Sequence, residues 1–255
     1  MSSPFALVLA VVLGLVIGSF LNVCIHRLPR RESIVRPRSH CPACSKPLEW
    51  FDNIPVASWI VLGGRCRHCG APISVRYPIV ELATAAAAVV IVWLTPPGPL
   101  LVSRLILAGA LIALFFIDLE HRLLPNVITV SGIVVGLLLS LIAPPGPVQS
   151  LIGIVVGGGM LLAIAGAYYV LRRLEGMGMG DVKMLAMIGA FLGWQSVIVT
   201  LILSSFLGAI VGIALLVTRG AGLRHALPFG SFLAIAAFVS MLAGDAIVPW
   251  YLSQL

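Results

Sequence analysis

Charged residues are scarce in this 255-residue sequence: they make up 10% of the chain, against 60% hydrophobic residues. So little polar surface cannot cover a soluble globule. Apolar runs of about 20 residues recur along the chain, and each is long enough to span roughly 30 Å of hydrocarbon. These runs do not alternate apolar and polar residues, as the strands of a membrane barrel would. The sequence therefore predicts an all-α polytopic membrane protein.

Several catalytic signatures are also missing. The five histidines include no H-E-x-x-H pair, which disfavours a metallopeptidase. The sequence has no G-x-S-x-G motif and no credible Ser/His/Asp arrangement. It also lacks a Rossmann-type glycine fingerprint. No recognition module accompanies the net charge of +7, so a nucleic-acid partner is not expected.

The positive charge indicates the orientation in the membrane. Nine of the sixteen lysines and arginines fall between Arg27 and Arg76, and the positive-inside rule places this stretch in the cytoplasm, where it can also bind lipid headgroups. If membrane crossings are counted from this cytoplasmic stretch, both Pro-Pro-Gly-Pro turns lie on the opposite side of the membrane. The basic loops, including 219–228, lie on the cytoplasmic side. About eight transmembrane helices result, at residues 4–25, 79–94, 100–117, 127–143, 151–171, 184–194, 196–217 and 229–244.

These spans define three predicted parts of the chain. Residues 1–25 form the first transmembrane helix, 26–78 a small cytoplasmic domain, and 79–255 the transmembrane core. Proline, glycine, cysteine and tryptophan punctuate the cytoplasmic part, which favours an irregular domain over long helices. Three consecutive glycines at 157–159 lie inside a span and indicate close helix packing.

Four cysteines lie within the predicted cytoplasmic domain. They form the pairs C-P-A-C and C-R-H-C, a spacing typical of a tetrahedral zinc site with four cysteine ligands. Such a site is closed and would hold the domain folded. Two disulfides or a redox couple remain alternatives, although a cytoplasmic location argues against structural disulfides. Cys24, inside the first span, is interpreted as a packing residue. The predicted ligands are Cys41, Cys44, Cys66 and Cys69.

Two aspartates are the candidate catalytic residues. Asp181 follows the three glycines of the sequence GMGMGDVK at 176–183 and stands at the start of an apolar run, whereas Asp118 stands at the end of another apolar run. The topology puts both at the cytoplasmic ends of their helices. Two close carboxylates cannot both ionise cheaply, so the pair can share a proton and activate a water. The flanking glycines would let an extended peptide approach the backbone.

Structural roles for these acids compete with the catalytic one. Asp181 fits the first turn of a helix, where a negatively charged side chain caps the helix or interacts favourably with its dipole. Asp118 could pair with Arg122 four residues on. Glu120 is a possible alternative partner, but two positions along a helix it points away from Asp118.

Several motifs together resemble the bacterial type IV prepilin peptidases, in order and over nearly the whole chain. The G-x-G-D core at 178–181 and the D-x₆-P-N pattern at 118–126 are specific in combination. The remaining motifs are GSFLNVCIHRLP at 18–29, the two C-x-x-C pairs, ISVRYPIVEL at 73–82 and LPFGSFL at 227–233.

The resemblance implies an aspartic endopeptidase of the bacterial inner membrane. It would cut the basic leader from type IV pilin-like or pseudopilin precursors, after a glycine, in pilus assembly or type II secretion. By position Asp118 and Asp181 match the family's catalytic pair, and the four cysteines match its cytoplasmic zinc-binding loop. Members also N-methylate the new amino terminus with S-adenosylmethionine. The methyl-donor site would border the cytoplasmic domain and residues 76–81.

Two readings from other classes remain open. In a transporter, Asp118 and Asp181 would be proton or cation sites, but these acids stand at segment ends and no internal repeat is visible. In a membrane methyltransferase or scaffold, the same aspartates would be structural. The sequence defines neither the oligomeric state nor the individual pilin substrate.

Overall fold

The computed structural model describes residues 3–173, 178–219 and 228–252, the last eight of these and residue 219 by their backbone alone. Every long element in these ranges is an α-helix, and the same ranges also contain two short 3₁₀ turns. Five helices are long and apolar enough to cross a membrane, and two shorter apolar ones accompany them. The predicted all-α polytopic membrane fold is confirmed. The α-helices are α1 Pro4–Arg27, α2 Ala57–Val61, α3 Arg76–Leu94, α4 Pro99–His121, α5 Asn126–Leu139, α6 Pro147–Arg172, α7 Met179–Arg219 and α8 Phe229–Leu252.

The longest helix, α7, is interrupted at Gly193. The backbone there has φ +79° and ψ 172°, a conformation that glycine adopts far more readily than other residues. The interruption coincides with the predicted boundary between the spans 184–194 and 196–217. With the two parts of α7 counted separately, the described residues contain eight apolar helical segments, as predicted: α1, α3 to α6, α8 and the two parts.

The chain divides into two compact units, Met1–Pro97 and Gly98–Leu255. In the first unit α1 and α3 pack closely through small residues. A Cβ added to Gly14 would lie 2.5 Å from the Cα of Ala85, and one added to Gly18 would lie 2.6 Å from the Cα of Glu81. Small residues four apart let two membrane helices approach to backbone contact. Between α1 and α3 the chain is mostly loop, with two 3₁₀ turns and the five-residue α2. The cytoplasmic domain at 26–78 and its borders remain predictions.

In the second unit α7 lies at the centre, with α5, α6 and α8 packed against it and α4 against α8. Its first half is the most buried part, and Met184, Leu185, Met187 and Ile188 are fully enclosed. The closest approach is to α6, where the backbones of Gly153 and Gly189 touch. A Cβ on Gly157 would lie 2.6 Å from the Leu185 carbonyl oxygen, so the predicted packing role of the triple glycine is confirmed at Gly157.

Candidate active site and metal centre

Asp118 lies in the last turn of α4, and 5% of its surface is exposed. Its Oδ2 accepts a hydrogen bond of 2.7 Å from the backbone N–H of Ser231 and contacts the Ser231 hydroxyl at 3.1 Å. Ser231 is the third residue of α8, so its N–H has no acceptor within that helix. The carboxylate therefore occupies the positive end of α8, which offsets its position at the negative end of α4.

Ser231 was not predicted as a site residue, although it lies in the motif LPFGSFL at 227–233. The available signal was a hydroxyl residue directly after a glycine at the start of the last apolar run. Gly230 is needed in this turn, because a Cβ there would lie 3.0 Å from the Asp118 Oδ2 and 3.0 Å from the Leu124 Cδ1. Residues 118 and 231 are 113 positions apart, so no local pattern pairs them.

Asp181 lies in the first turn of α7 and is partly buried. The helix end that carries Asp181 lies against the loop that follows Asp118 on α4. Leu124 links the two helix ends, since it contacts Gly230 and would be 3.0 Å from a Cβ on Gly180. The structure thus brings the two predicted aspartates to the same end of the second unit.

A second link holds the start of α7 in place. Lys183 Nζ donates a hydrogen bond of 2.9 Å to the Asn126 Oδ1 at the start of α5. The carboxyl end of α4 and the amino ends of α5, α7 and α8 therefore converge around the aspartates. Gly178 precedes Asp181 and is exposed, which leaves the backbone beside this carboxylate accessible. Gly176 and most of the basic loop 219–228 lie outside the described residues.

The competing acid, Glu120, has a different position. It is exposed on α4, and its carboxylate lies 3.9 Å from the His121 Nε2. Asp118, two residues earlier, is buried. Successive helical residues face different directions, so Glu120 is separated from the carboxylate pair, as the sequence argument expects.

The four predicted cysteine ligands meet at one point in the first unit. Their sulfurs all lie within 4.8 Å of one another, and the Cys41 and Cys69 sulfurs are 3.8 Å apart. A tetrahedral ion with Zn–S bonds of about 2.3 Å places its sulfurs roughly 3.8 Å apart. Each C-x-x-C pair turns through a left-handed residue, Ser45 at φ +57° and Gly70 at φ +69°. The cluster can therefore hold a metal ion.

Backbone hydrogen bonds prepare one of these thiols for binding. The N–H groups of Cys69 and then His68 point at the Cys66 sulfur and lower its pKa to about 7. A thiolate is the form that binds a metal. The loop conformation thus stabilises the metal-binding form of Cys66 near neutral pH.

Ser231→Ala is expected to lower the turnover of the aspartate site by about three- to tenfold, because it removes one hydrogen bond to Asp118 and keeps the N–H bond. The measurement is kcat for cleavage of a pilin-like precursor, the activity that the resemblance implies, with Ser205→Ala as control. Ser205 is exposed on α7, and its hydroxyl bonds the Leu201 carbonyl. Equal kcat for both variants would show that the Ser231 hydroxyl does not tune the site.

Two segments of the chain match families of known proteins. Residues 12–95 match the bacterial peptidase A24 N-terminal domain, and 105–213 match the type IV leader peptidase family. A relative from Aeromonas salmonicida is named prepilin leader peptidase/N-methyltransferase; it is 42% identical over 95% of this chain and 92% of its own length. One of the same name from Pseudomonas aeruginosa is 38% identical over 98% and 95% of the two chains. No solved structure matches significantly.

Fold and site together define a polytopic helical membrane protein with a carboxylate pair at one end of its second unit and a four-cysteine cluster in its first. The chain belongs to the type IV leader peptidase family. The resemblance seen in the sequence is therefore confirmed, as is the prediction of a prepilin-peptidase type of enzyme.

Proposed function

We propose that the protein is a bifunctional enzyme of the bacterial inner membrane. Asp118 and Asp181 cut the basic leader from type IV pilin-like or pseudopilin precursors, after a glycine and at the cytoplasmic face. The new amino terminus is then N-methylated with S-adenosylmethionine. The observation that carries the proposal is that Leu124 packs near both Gly180, beside Asp181, and Gly230, beside Asp118, where the carboxyl end of α4 meets the amino ends of α7 and α8. The names of the relatives support both activities.

The carboxylate pair supplies the chemistry of cleavage. One carboxylate takes a proton from a water, which attacks the scissile carbonyl carbon, while the other donates a proton to the carbonyl oxygen. When the tetrahedral intermediate collapses, the carbon–nitrogen bond breaks, the nitrogen takes the proton that the first carboxyl group accepted from water, and a hydroxyl of the intermediate returns its proton to the second carboxylate. The hydrogen bonds from Ser231 go to the Oδ2 of Asp118. The other carboxylate oxygen, Oδ1, is left to bind the water. The pair shares its proton as a unit, so the two roles are not divided between the residues.

The location of the pair suits a substrate that is itself anchored in the membrane. A pilin leader is basic and stays in the cytoplasm, and its scissile bond lies where its apolar helix begins. The positive-inside rule puts the carboxyl end of α4 on that same side. The exposed Gly178 beside Asp181 gives an extended peptide access to the site. Apolar side chains are exposed along α1, α5 and α6, as expected of helices that contact lipid.

The cysteine cluster is proposed to hold a structural zinc ion. Four thiolates give a closed tetrahedral shell with no open position for a reacting group. The residues fit, because all four sulfurs converge within 4.8 Å. The ion would supply folding energy to the short loops around it.

The test uses the full-length protein in liposomes with a prepilin-like substrate. Cleavage is expected after the leader glycine, and added S-adenosylmethionine should give a product heavier by one methyl group. Product masses check both results. The matched control substrate carries a bulky residue in place of that glycine and should remain uncut. If intact substrate persists with the native leader, the peptidase assignment fails; cleavage without any methylated product removes only the second activity.

A further inference from the structure

The chain between α1 and α3 carries an exposed apolar surface that has no part in the proposed cleavage chemistry. It is formed by the second 3₁₀ turn, by the residue that follows this turn and by α2, which packs against the turn. Clustered exposed apolar side chains, unlike scattered ones, mark a surface that binds a partner or a membrane. This surface, called the apolar patch below, comprises Trp50, Phe51, Ile54, Ile60 and Val61, which are 40–81% exposed.

The short helix α2 presents one apolar face outward. Ala57, Ile60 and Val61 are all exposed, and their spacing of three and four residues places them on one side of a helix. Trp59 is partly buried, and its Nε1 donates a hydrogen bond of 3.1 Å to the Ile73 carbonyl oxygen. This bond ties α2 to the loop before α3, so the outward face belongs to an anchored element.

An aromatic pair adjoins this face on the 3₁₀ turn. The rings of Trp50 and Phe51 pack edge to face, with their centroids 5.6 Å apart. The Arg67 guanidinium lies 5.2 Å from the centre of the Phe51 ring and pairs with Asp52 at 2.7 Å. Trp50 itself stays 79% exposed. Tryptophan concentrates at membrane–water interfaces, where its apolar ring and its N–H group are both accommodated.

A hydrogen bond places the start of α2 beside the ends of two candidate membrane spans. The Val56 N–H, directly before α2, donates a hydrogen bond of 2.8 Å to the Glu81 Oε2, and the Ser19 hydroxyl of α1 bonds the same carboxylate. Glu81 lies five residues into α3, or roughly 7.5 Å along the helix. Ser19 and Glu81 both belong to candidate spans. The patch therefore begins next to the spans, at the depth of a membrane interface.

The charge around the patch is complementary to anionic lipid. Residues 27–76 contain nine lysines and arginines against three acids. Basic groups beside a membrane span are attracted to anionic headgroups, and an inserted apolar group adds a second anchoring contribution. A basic pilin leader would instead be repelled by these charges, so lipid is favoured over substrate as the partner of the patch. The exposed basic residues are Arg30, Arg31, Arg36, Arg38, Lys46, Arg65 and Arg67.

We propose that the apolar patch inserts into the headgroup region of an anionic lipid surface, while the exposed basic side chains contact the phosphates around it. This contact holds α2 and the 3₁₀ turn against the membrane beside the ends of α1 and α3. The chain between these two helices is then attached to the bilayer at a third place. The inference is independent of leader cleavage and of methylation.

The test uses the full-length protein in lipid nanodiscs with one copy in each disc. The discs contain phosphatidylcholine with or without phosphatidylglycerol, and the probe is phosphatidylcholine brominated near the top of its acyl chains, which quenches a tryptophan that touches it. The difference between the wild type and Trp50→Phe gives the emission of Trp50. In anionic discs the brominated lipid is expected to lower this emission by about half or more, because an inserted indole lies at that depth. Neutral discs should give weaker quenching.

A variant at the far end of the patch tests its apolar contribution. Val61→Ser is expected to reduce the quenching of Trp50 about twofold, because it removes apolar area from the inserted surface. Val61 is 81% exposed, so the fold should survive, and thermal unfolding of the variant checks this. The control is Val35→Ser, the same change at a valine that is 77% exposed and belongs to neither α2 nor the 3₁₀ turn. It should be quenched like the wild type.

Four results would overturn the proposal. Trp50 emission that ignores the brominated lipid in anionic discs would show that the patch stays in water. Equal quenching in neutral and anionic discs, or equal loss in Val61→Ser and Val35→Ser, would remove the assigned chemistry. Shielding of Trp50 from iodide only when two copies share a disc would assign the patch to a second copy. Shielding only after a prepilin-like substrate is added would assign it to the substrate.

Discussion

Asp118→Asn and Asp181→Asn are each expected to lower leader cleavage by about a thousandfold or more, because a dyad with one titrating carboxylate cannot both activate water and protonate the carbonyl. Asparagine has nearly the same shape, and its oxygen can still accept from the Ser231 N–H. The fold should therefore survive at Asp118, and at Asp181 the side chain is only partly buried. The measurement is the rate of product formation in liposomes, beside thermal unfolding of each variant.

Glu120→Gln provides the matched control for this pair. Glu120 lies on the same helix end but is exposed, and the variant should cleave at the wild-type rate. Substantial cleavage by either aspartate variant would contradict the dyad. A large loss in Glu120→Gln, with one aspartate variant still active, would instead identify Glu120 as a member of the pair.

Cys66→Ser is expected to remove the bound metal and to destabilise the first unit. The wild type should hold about one zinc per chain under the four-cysteine arrangement, and the variant close to none. Between α1 and α3 the elements are short, with two 3₁₀ turns and the five-residue α2. The proposed zinc would cross-link these loops, so its loss from the variant should lower the unfolding temperature. Metal analysis and thermal unfolding of the purified protein check both results.

Cys24→Ala is the control for the metal prediction. Cys24 is buried in α1 and does not belong to the cluster, so the variant should keep its zinc. Folded wild-type protein without zinc under reducing conditions would count against the structural site. Equal zinc in the wild type and Cys66→Ser would show that this thiol is not a ligand.

Most of the helices could be predicted because apolar runs of membrane length dominate their sequence. The interruption of α7 at Gly193 was close to a predicted feature, because the sequence analysis divided this stretch into the spans 184–194 and 196–217. The four cysteines were recognisable for a different reason. Their ligand spacing is local within each pair, and a metal is the simplest way to bring two such pairs together.

The contacts that complete the sites could not be predicted from local patterns. Ser231 meets Asp118 only because α4 and α8 pack side by side. Asn22 reads as an ordinary polar residue near the end of a span, and its unpaired oxygen emerges from the packing of α1 on α3. Both depend on tertiary geometry between distant segments, which periodicity and spacing do not encode. The distance between the side chains of Asp118 and Asp181 likewise depends on how distant helices pack, so local sequence patterns do not predict it.

The contact between Gly153 and Gly189 fixes how far along its axis α7 can slide against α6. Gly189 follows Asp181 by eight residues, or about 12 Å of helix. A shift of about one helical turn would put Leu185 or Ala186 opposite Gly153, where the touching backbones leave no room for a side chain. The two glycines therefore fix the axial position of α7 against α6, and with it the position of the Asp181 carboxylate along α6.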